Sequence, residues 1–504
     1  MSTYPLKRRL IFAGTAAVAV FAGLPLEAAE PAMPASLPAN GVIWLLLAAI
    51  VVMFMHIGFA MIETGFCRAK NALNTVTMNL MIFPLSCLAF WVYGFAVGWG
   101  NFSNSDAVAP GWAASLDLSG TILNRGPGVG SLVVDGKASG GYGLIGAKGF
   151  FLSGIEQSTA QAGALAFFFF MMALIDKAAL IPAGAMVERW RWKNFCLYGL
   201  WVVLPLTLVA NWVWGGGWLA RIGPNWRLGH GAVDFSGAGV IHGLGGVIAL
   251  VGAWLLGPRV GKYRAGRPQP LPGHHVPMVM LGSLIVAFGW LALNAGCALS
   301  GTDLSLSSVV VNTTLAAVAG TLAAMLTLWA KKMKPDPTLI CNGMIAGLVA
   351  ISGPCPFVDT WAAVIVGGVA GSVVVGSVLL LERRGIDDPV GAISVHGVAG
   401  LWGLLAVGIF ANGKYGVGLN GVARQRFQVD GVRGLLYGDA GQFAAQAMGA
   451  VAIVVFGLVM AWAWFHLSNR YVPMRVTRDV ELEGLDGPEL GALAYPDFAL
   501  TRHT

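Results

Sequence analysis

The sequence predicts an all-α polytopic membrane protein: eleven transmembrane helices, formed by two inverted five-helix repeats and a final helix. Three observations predict it: the composition, the number of long apolar stretches and a motif that occurs twice. Of the 504 residues, 56% are hydrophobic and 11% are charged, whereas soluble domains carry about 25% charged residues. The 70 glycines indicate closely packed helices, because glycine lets two backbones approach. The formal charge of +7 does not indicate nucleic-acid binding, because the basic residues cluster at the ends of apolar segments.

The N-terminal residues 1–29 have the pattern of a signal peptide. A basic stretch with Lys7 is followed by a short apolar run and by small residues at Ala28 and Ala29. The alternative is a first transmembrane helix, but the run is short and Pro25 breaks it. We therefore expect the mature N-terminus to lie outside the cytoplasm.

The apolar stretches give the count of membrane spans. A membrane-spanning helix needs about 20 residues, and eleven stretches approach or exceed this length. They are 41–62, 78–99, 162–187, 196–220, 237–257, 276–297, 305–330, 338–353, 359–381, 393–411 and 443–467. An odd count places the two ends of the protein on opposite sides of the membrane.

The distribution of Lys and Arg orients these spans, because cytoplasmic loops carry an excess of positive residues. Two of the intervening short loops, 298–304 and 354–358, have none. The positive residues of alternate loops are Arg68, Lys70, Arg189, Arg191, Lys193, Arg259, Lys262, Arg264, Arg267, Lys331, Lys332, Lys334, Arg383 and Arg384. We therefore expect an external N-terminus, a membrane domain over 30–467 with an external loop at 100–160, and a cytoplasmic tail over 468–504.

A motif repeated in the two halves predicts the functional site. DFSGAGVIHGLGG (234–246) and DPVGAISVHGVAG (388–400) both place His eight residues after Asp, and Gly one and four residues after His. Five spans separate the two copies, so the halves have opposite orientation, as in many transporters. One buried histidine is ordinarily a satisfied core residue, but His242 and His396 are equivalent in the two halves. Intramembrane ionisable residues indicate function, and we expect these two to meet.

Several motifs together resemble the ammonium transporter (Amt/Rhesus) family, specifically its Amt branch with a variant, non-Phe gate. They are GFAMIETGFCRAKNALN (58–74), PAGAMVERW (182–190), VWGGGWLA (213–220), the two repeated motifs, NAG (294–296) and EGLDGPELGALAY (483–495). The resemblance covers nearly the whole mature chain. It implies a homotrimer with one pore per subunit in the cell inner membrane, carrying ammonium or methylammonium, with no cofactor and no enzymatic activity.

The resemblance also implies an outer recruitment site and a hydrophobic gate. Trp214 matches the family's outer tryptophan, whose face attracts cations, although an interfacial anchor is the ordinary role of such a residue. Cys297 occupies the usual serine position and is a poorer acceptor. Phe170 matches a phenylalanine at the pore mouth. Asp234 is expected to cap the helix that follows and to order the site.

The gate and its neighbours depart from the family pattern. Two stacked phenylalanines are usual, whereas this chain has Leu174 and Leu293, which keep an apolar closure. Asp176 and Lys177 follow at once, and a buried charge is costly without a partner. Because adjacent helical residues point in different directions, we expect them to have separate contacts. Either they form ion pairs to other helices, or Asp176 lies near the pore and tunes selectivity.

The paired histidines imply a mechanism. His242 and His396 are expected to share a proton through facing ring nitrogens, so that ammonium loses a proton near the gate and ammonia passes between the helices. His56 and Glu63, on the first span, are expected to be structural rather than part of this conduit.

Two further questions stay open in the sequence. The tail resembles one that docks a PII-type regulatory protein, but Leu490 and Ala492 replace the usual His and Glu of its last motif. An ammonium sensor with little or no flux is the alternative function. A metalloenzyme is disfavoured, because no further His, Cys or carboxylate cluster completes a metal shell around the two histidines.

Overall fold

A computed structural model of the chain describes residues 39–100, 144–146, 148–155, 161–303, 305–415 and 431–498. The predicted signal peptide and most of the predicted external loop lie outside these residues. All of the described residues belong to one compact unit.

The described residues include ten helices long and apolar enough to cross a membrane, and a shorter apolar helix that completes the predicted eleven. We number them α1 to α11 in chain order. Their bounds are α1 Ala39–Phe66, α2 Ala72–Ala89 with Phe90–Gly94 and Phe95–Trp99, α3 Gln161–Met186, α4 Trp192–Trp201 with Val203–Val213, α5 Ala238–Gly243 with Leu244–Leu256, α6 Val276–Gly296, α7 Leu306–Ala330, α8 Pro337–Ile351, α9 Thr360–Arg383, α10 Ile393–Val398 with Ala399–Phe410, and α11 Ala440–Tyr471. A short helix, Trp218–Trp226, follows α4, and two strands, Tyr263–Arg264 and Arg267–Pro268, pair after α5.

The shorter helix is α8, which has 15 residues. The Asp336 carboxylate accepts hydrogen bonds from the N–H groups of Thr338 and Leu339 at its first turn. At its other end the carbonyls of Ser352 and Gly353 accept from the chain before α5, at 2.8 and 3.2 Å. α8 thus ends directly before residues that pair with that chain.

Close backbone contacts hold the helices together, as the glycine content predicts. In α1 and α6, Gly58 and Gly282 face each other, and a Cβ added to either would lie 2.7 or 2.6 Å from the other's carbonyl oxygen. The outer faces of the spans are apolar and exposed, for example Leu284 on α6 and Val451 on α11. Such faces suit contact with lipid acyl chains.

The tail after α11 packs against the predicted cytoplasmic ends of other spans. Lys70 Nζ donates to the carbonyl of Glu481 at 2.8 Å. The Asp486 carboxylate accepts from the N–H of Asn74 at 2.8 Å, and Glu489 Oε2 accepts from the N–H of Trp192 at 2.9 Å. The tail therefore connects the beginnings of α2 and α4.

Candidate functional site

The repeated motifs begin with equivalent helix caps. The Asp234 carboxylate accepts from the N–H groups of four consecutive residues, Gly237, Ala238, Gly239 and Val240, at 3.1, 2.8, 2.8 and 2.8 Å. The Asp388 carboxylate accepts from three, Gly391, Ala392 and Ile393, at 3.0, 3.0 and 2.8 Å. The first turn of a helix leaves such N–H groups without partners, so each aspartate satisfies most of one helix end. The capping role predicted for Asp234 is confirmed.

Both caps lead into a wide helical turn. Ala238–Gly243 and Ile393–Val398 are π-helical, and each contains the histidine of its motif. Such turns are uncommon and often mark functional sites. The sequence pattern gave no indication of them, but their occurrence in both copies agrees with the predicted repeat.

Glycines bring the two wide turns into contact. A Cβ on Gly246 would lie 2.1 Å from the backbone N of Gly397, and a Cβ on Gly400 would lie 2.7 Å from the backbone N of Gly243. Gly243 corresponds to Gly397 and Gly246 to Gly400, so the two contacts are related by exchange of the repeats. This reciprocity indicates a two-fold relation between the halves.

We predict that Gly246→Ala destabilises the protein, because the added methyl group meets backbone that cannot turn aside. Overpacking of this kind costs about 1–3 kcal/mol. The matched control is Gly376→Ala on α9, where an added Cβ has no neighbour within 4 Å. Thermal unfolding in detergent should show a lower midpoint for Gly246→Ala alone, and equal midpoints would contradict the close contact.

The two histidines meet at the centre of this contact. His242 Nδ1 and His396 Nδ1 are 3.1 Å apart, and the ring centroids are 5.2 Å apart with an angle of 21° between the planes. Both rings are buried, with exposed fractions of 2% and 6%. At this distance one ring donates and the other accepts, so the pair can hold one shared proton.

A residue that was not predicted from the sequence lies against the ring of His242. The Trp290 indole stacks on the His242 ring at 5.0 Å and 21°, and its Nε1 donates to Ser352 Oγ at 2.8 Å. The hydrogen bond fixes the indole, and the indole fixes the imidazole plane. The available signal was the spacing, because Trp290 lies one helical turn before the NAG motif.

Three of the four residues predicted for recruitment, namely Trp214, Asp234 and Cys297, lie around the beginning of α5. Trp214 is fully buried, and its Nε1 donates to the backbone carbonyl of Asp234 at 2.6 Å. Cys297 directly follows α6, is 1% exposed, and lies close to Asp234 and Ser236. Asp234 thus orients the Trp214 indole through its backbone carbonyl and caps α5 through its carboxylate.

The residues predicted for the gate lie on α3 and α6. These helices contact each other where the Phe170 ring covers Gly296, whose added Cβ would be 2.5 Å from the ring. Leu174 lies one turn after Phe170 and Leu293 about one turn before Gly296. Both leucines are fully buried, so apolar side chains follow Phe170 along both helices.

The expectation of separate contacts for Asp176 and Lys177 is wrong. Lys177 Nζ lies 2.5 Å from Asp176 Oδ2, because the long lysine stem can fold back along the helix. The same carboxylate lies 3.1 Å from His56 Nδ1 and accepts from Ser86 Oγ at 2.9 Å. These contacts of Asp176 with described residues go to α1, to α2 and to its own neighbour, which fits the structural interpretation.

Removing only the negative charge of the Asp176–Lys177 pair should destabilise the folded protein. We predict that Asp176→Asn lowers the stability by about 3–5 kcal/mol, because it leaves the buried Lys177 charge without its carboxylate. The double variant Asp176→Asn/Lys177→Met should recover most of that loss in thermal unfolding. If the double variant also changes ion selectivity, Asp176 tunes the pore; unchanged transport removes that hypothesis.

A small cavity adjoins His396 and contains a second unexpected residue. It is lined by Phe59, Glu63, Asn342 and His396 together with apolar side chains. Glu63 is 3% exposed, and its Oε2 accepts from Asn79 Nδ2 at 2.8 Å. Glu63, which was expected to be structural, has that hydrogen bond to Asn79 and also lines a cavity with one of the paired histidines.

The remaining polar motifs have structural partners. Glu188 Oε2 accepts from Arg68 Nε at 2.7 Å and lies 3.3 Å from Arg259 Nη1. Arg259 Nε also donates to Asp387 at 2.9 Å. In the described part of the chain, no group of three or more His, Cys, Asp or Glu residues is placed to hold a metal ion.

Comparison with known proteins identifies relatives over most of the chain. The model of the Ammonium Transporter Family matches residues 43–495. The chain is 38% identical to ammonium transporter Amt2 of Archaeoglobus fulgidus over 463 residues, which covers 91% of this chain and 89% of the relative. It is 31% identical to ammonium transporter 1 member 3 of Solanum lycopersicum, with 90% and 92% covered.

Solved structures with a similar fold also match most of the chain. A protein described as a sensor Amt protein matches with a TM-score of 0.72 and 28% identity, covering 90% of this chain and 98% of that one. Mep2 of Candida albicans matches with a TM-score of 0.70 at 22% identity, covering 88% and 87%.

Proposed function

Because the chain belongs to the ammonium transporter family, we propose that it carries ammonium or methylammonium across the membrane through the conduit that contains His242 and His396. The observation that carries this proposal is the contact of the two Nδ1 atoms at 3.1 Å in a buried position. An ion of this kind loses its hydration in an apolar conduit, so transfer as neutral ammonia and a separate proton is favoured physically.

Recruitment would begin at Trp214. A tetrahedral cation is attracted by the indole face, which contributes about 0.5–2 kcal/mol. The Trp214 indole is oriented by its bond to the Asp234 carbonyl. Phe170 would add an aromatic surface and Cys297 a weak acceptor, while Asp234 would hold the site through the helix that it caps.

Passage would continue between Leu174 and Leu293. These side chains present no polar group, so they disfavour an ion more strongly than a neutral molecule. Ammonium would give up a proton above them, and ammonia would move on to the histidines. There the imidazole pair offers one donor and one acceptor, and His242 Nε2 makes no hydrogen bond to any described residue.

Proton movement would use the same pair. Histidine changes its charge near neutral pH when it is unperturbed, and a shared proton can pass between the two Nδ1 atoms by a short transfer. The buried, apolar surroundings disfavour two charged rings at once, so the pair would carry one excess proton at most.

Assembly and location follow the family. We propose a homotrimer with one conduit per subunit in the cell inner membrane, with the N-terminus outside and the tail in the cytoplasm. Docking of a PII-type protein on the tail has weaker support, because Leu490 and Ala492 lack the polar groups of the usual motif. Lipid would cover the exposed apolar faces of the spans.

An ammonium sensor with little flux is the second candidate. The observations that favour it are the match to a sensor Amt protein and the unusual Leu174/Leu293 gate. Uptake of labelled methylammonium into proteoliposomes, measured beside equilibrium binding, separates the two functions. Uptake above that of empty liposomes supports transport, whereas binding without uptake supports the sensor.

A further inference from the structure

The cavity beside His396 has the composition of a proton-transfer site. It has about 20 Å³ of space for water, and one water molecule needs about 10–15 Å³. Its ionisable side chains are those of Glu63 and His396. Glu63 lies three residues before the end of α1, which the proposed orientation places on the cytoplasmic side.

The geometry leaves one nitrogen of His396 for this cavity. Its Nδ1 faces His242 at 3.1 Å, so Nε2 is the atom that can exchange a proton with anything beyond the pair. The Phe59 ring centroid lies 6.3 Å from that of His396. Phe59 and Glu63 are four residues apart on α1, so they occupy one face of the helix and both reach the cavity.

Glu63 is held with one oxygen committed. Asn79 Nδ2 donates to Oε2 and also to the carbonyl of Thr75, which fixes the amide on α2. The other oxygen, Oε1, lies beside Gly184, where an added Cβ would be 3.1 Å away. The glycine therefore keeps the space next to Oε1 open.

Other ionisable side chains lie near Glu63 in the described part of the chain. Asp388 and Tyr198 are close enough to interact with it electrostatically, and His396 shares its cavity. The Asp388 carboxylate is occupied by three backbone N–H groups, and the Tyr198 hydroxyl donates to the carbonyl of Ala179. Glu63 is thus the carboxyl group that remains available to a proton leaving His396.

We propose that Glu63 is the inner proton acceptor of the conduit, a role that rests on the proposed transport function. A cavity water takes the proton from His396 Nε2 and gives one of its own to Glu63 Oε1. One N–H bond breaks at the imidazolium and one O–H bond forms at the carboxylate, so the charges of both groups are neutralised. Glu63 then returns the proton to the cytoplasmic side, or to an ammonia molecule, which leaves as ammonium.

The variant Glu63→Gln tests this role, because glutamine keeps the shape and can still accept from Asn79 but cannot take a proton. The ammonium-driven current of reconstituted protein should fall about 100-fold, the scale of a lost positioned proton-transfer group. The half-saturating ammonium concentration should not change. A carboxyl stretching band that appears in infrared difference spectra when ammonium is added should be absent from the variant.

Two further variants complete the test. Glu382→Gln removes a carboxylate that pairs with Lys262 at the end of α9 and should leave the current and the band unchanged. Glu63→Asp keeps a carboxyl group on a shorter stem and should retain part of the current with an altered pH profile, which a merely structural role does not predict.

The outcomes separate this proposal from the transport function itself. A Glu63→Gln protein with the wild-type current at every pH, or with the infrared band intact, overturns the role of Glu63 and leaves transport standing. A wild-type protein without flux contradicts transport instead. If Glu63→Gln does not fold, a Glu63→Asp pH profile identical to that of the wild type overturns the proposal.

Discussion

Replacing His242 by alanine is expected to lower the ammonium-driven current by about 100-fold or more, since positioned proton-transfer groups contribute about 10²–10⁴-fold. The change removes one of the two nitrogens that are 3.1 Å apart and uncovers the Trp290 indole. Current after a rapid ammonium pulse on a solid-supported membrane measures the effect.

The reciprocal variant His396→Ala provides the matched comparison. Because the histidines act as one pair, the double variant should lose no more current than the more severe single variant. Additive losses in the logarithm of the current would show that the rings act separately and would contradict a shared proton. Thermal unfolding of each variant controls for loss of the fold.

Replacing Asp234 by alanine should give the second large effect, a loss of both stability and transport. Four buried N–H groups lose their acceptor, and each unsatisfied group costs about 1–3 kcal/mol. The wide turn that carries His242 would then lose its helix cap. Thermal unfolding in detergent and methylammonium uptake measure the two consequences.

The variant Asp234→Asn separates the effect of losing the helix cap from the effect of losing the carboxyl group. The asparagine oxygen can still accept from part of the turn, so the variant should fold better than alanine while it lacks the ionisable carboxyl group of Asp234. Asp388→Ala, which releases three N–H groups on the other repeat, is the matched control for the cost of uncapping. Wild-type stability of the Asp234→Ala protein would contradict the capping role.

The spans and the repeat could be predicted because they depend on local composition and spacing. Long apolar stretches specify helices in a membrane, and the identical Asp–His–Gly spacing marked the two halves. The contact of Gly246 with Gly397 follows from that spacing once the halves are related by a two-fold axis. The ends predicted for α8 were close to the observed ends for the same reason. This helix was expected at 338–353 and is Pro337–Ile351.

Features that depend on tertiary neighbours could not be predicted in this way. The π-helical turns need one extra residue in each hydrogen-bonded ring. The hydrophobic pattern of the sequence does not predict where such a turn occurs. The pairing of Lys177 with Asp176 depends on how a long side chain folds among α1 and α2. Glu63 has an ordinary position in the sequence, and only the packing places it in the cavity beside His396. The spacing of Trp290 to the NAG motif was a signal, but its stacking on His242 depends on the packing.

The most direct test of the transport function is the current of the wild-type protein on a solid-supported membrane after pulses of ammonium, methylammonium and potassium. A conduit of paired histidines behind an apolar gate predicts currents with ammonium and methylammonium that saturate with concentration, and none with potassium. Saturable binding of ammonium with no current and no uptake of labelled methylammonium would contradict transport and would favour the sensor.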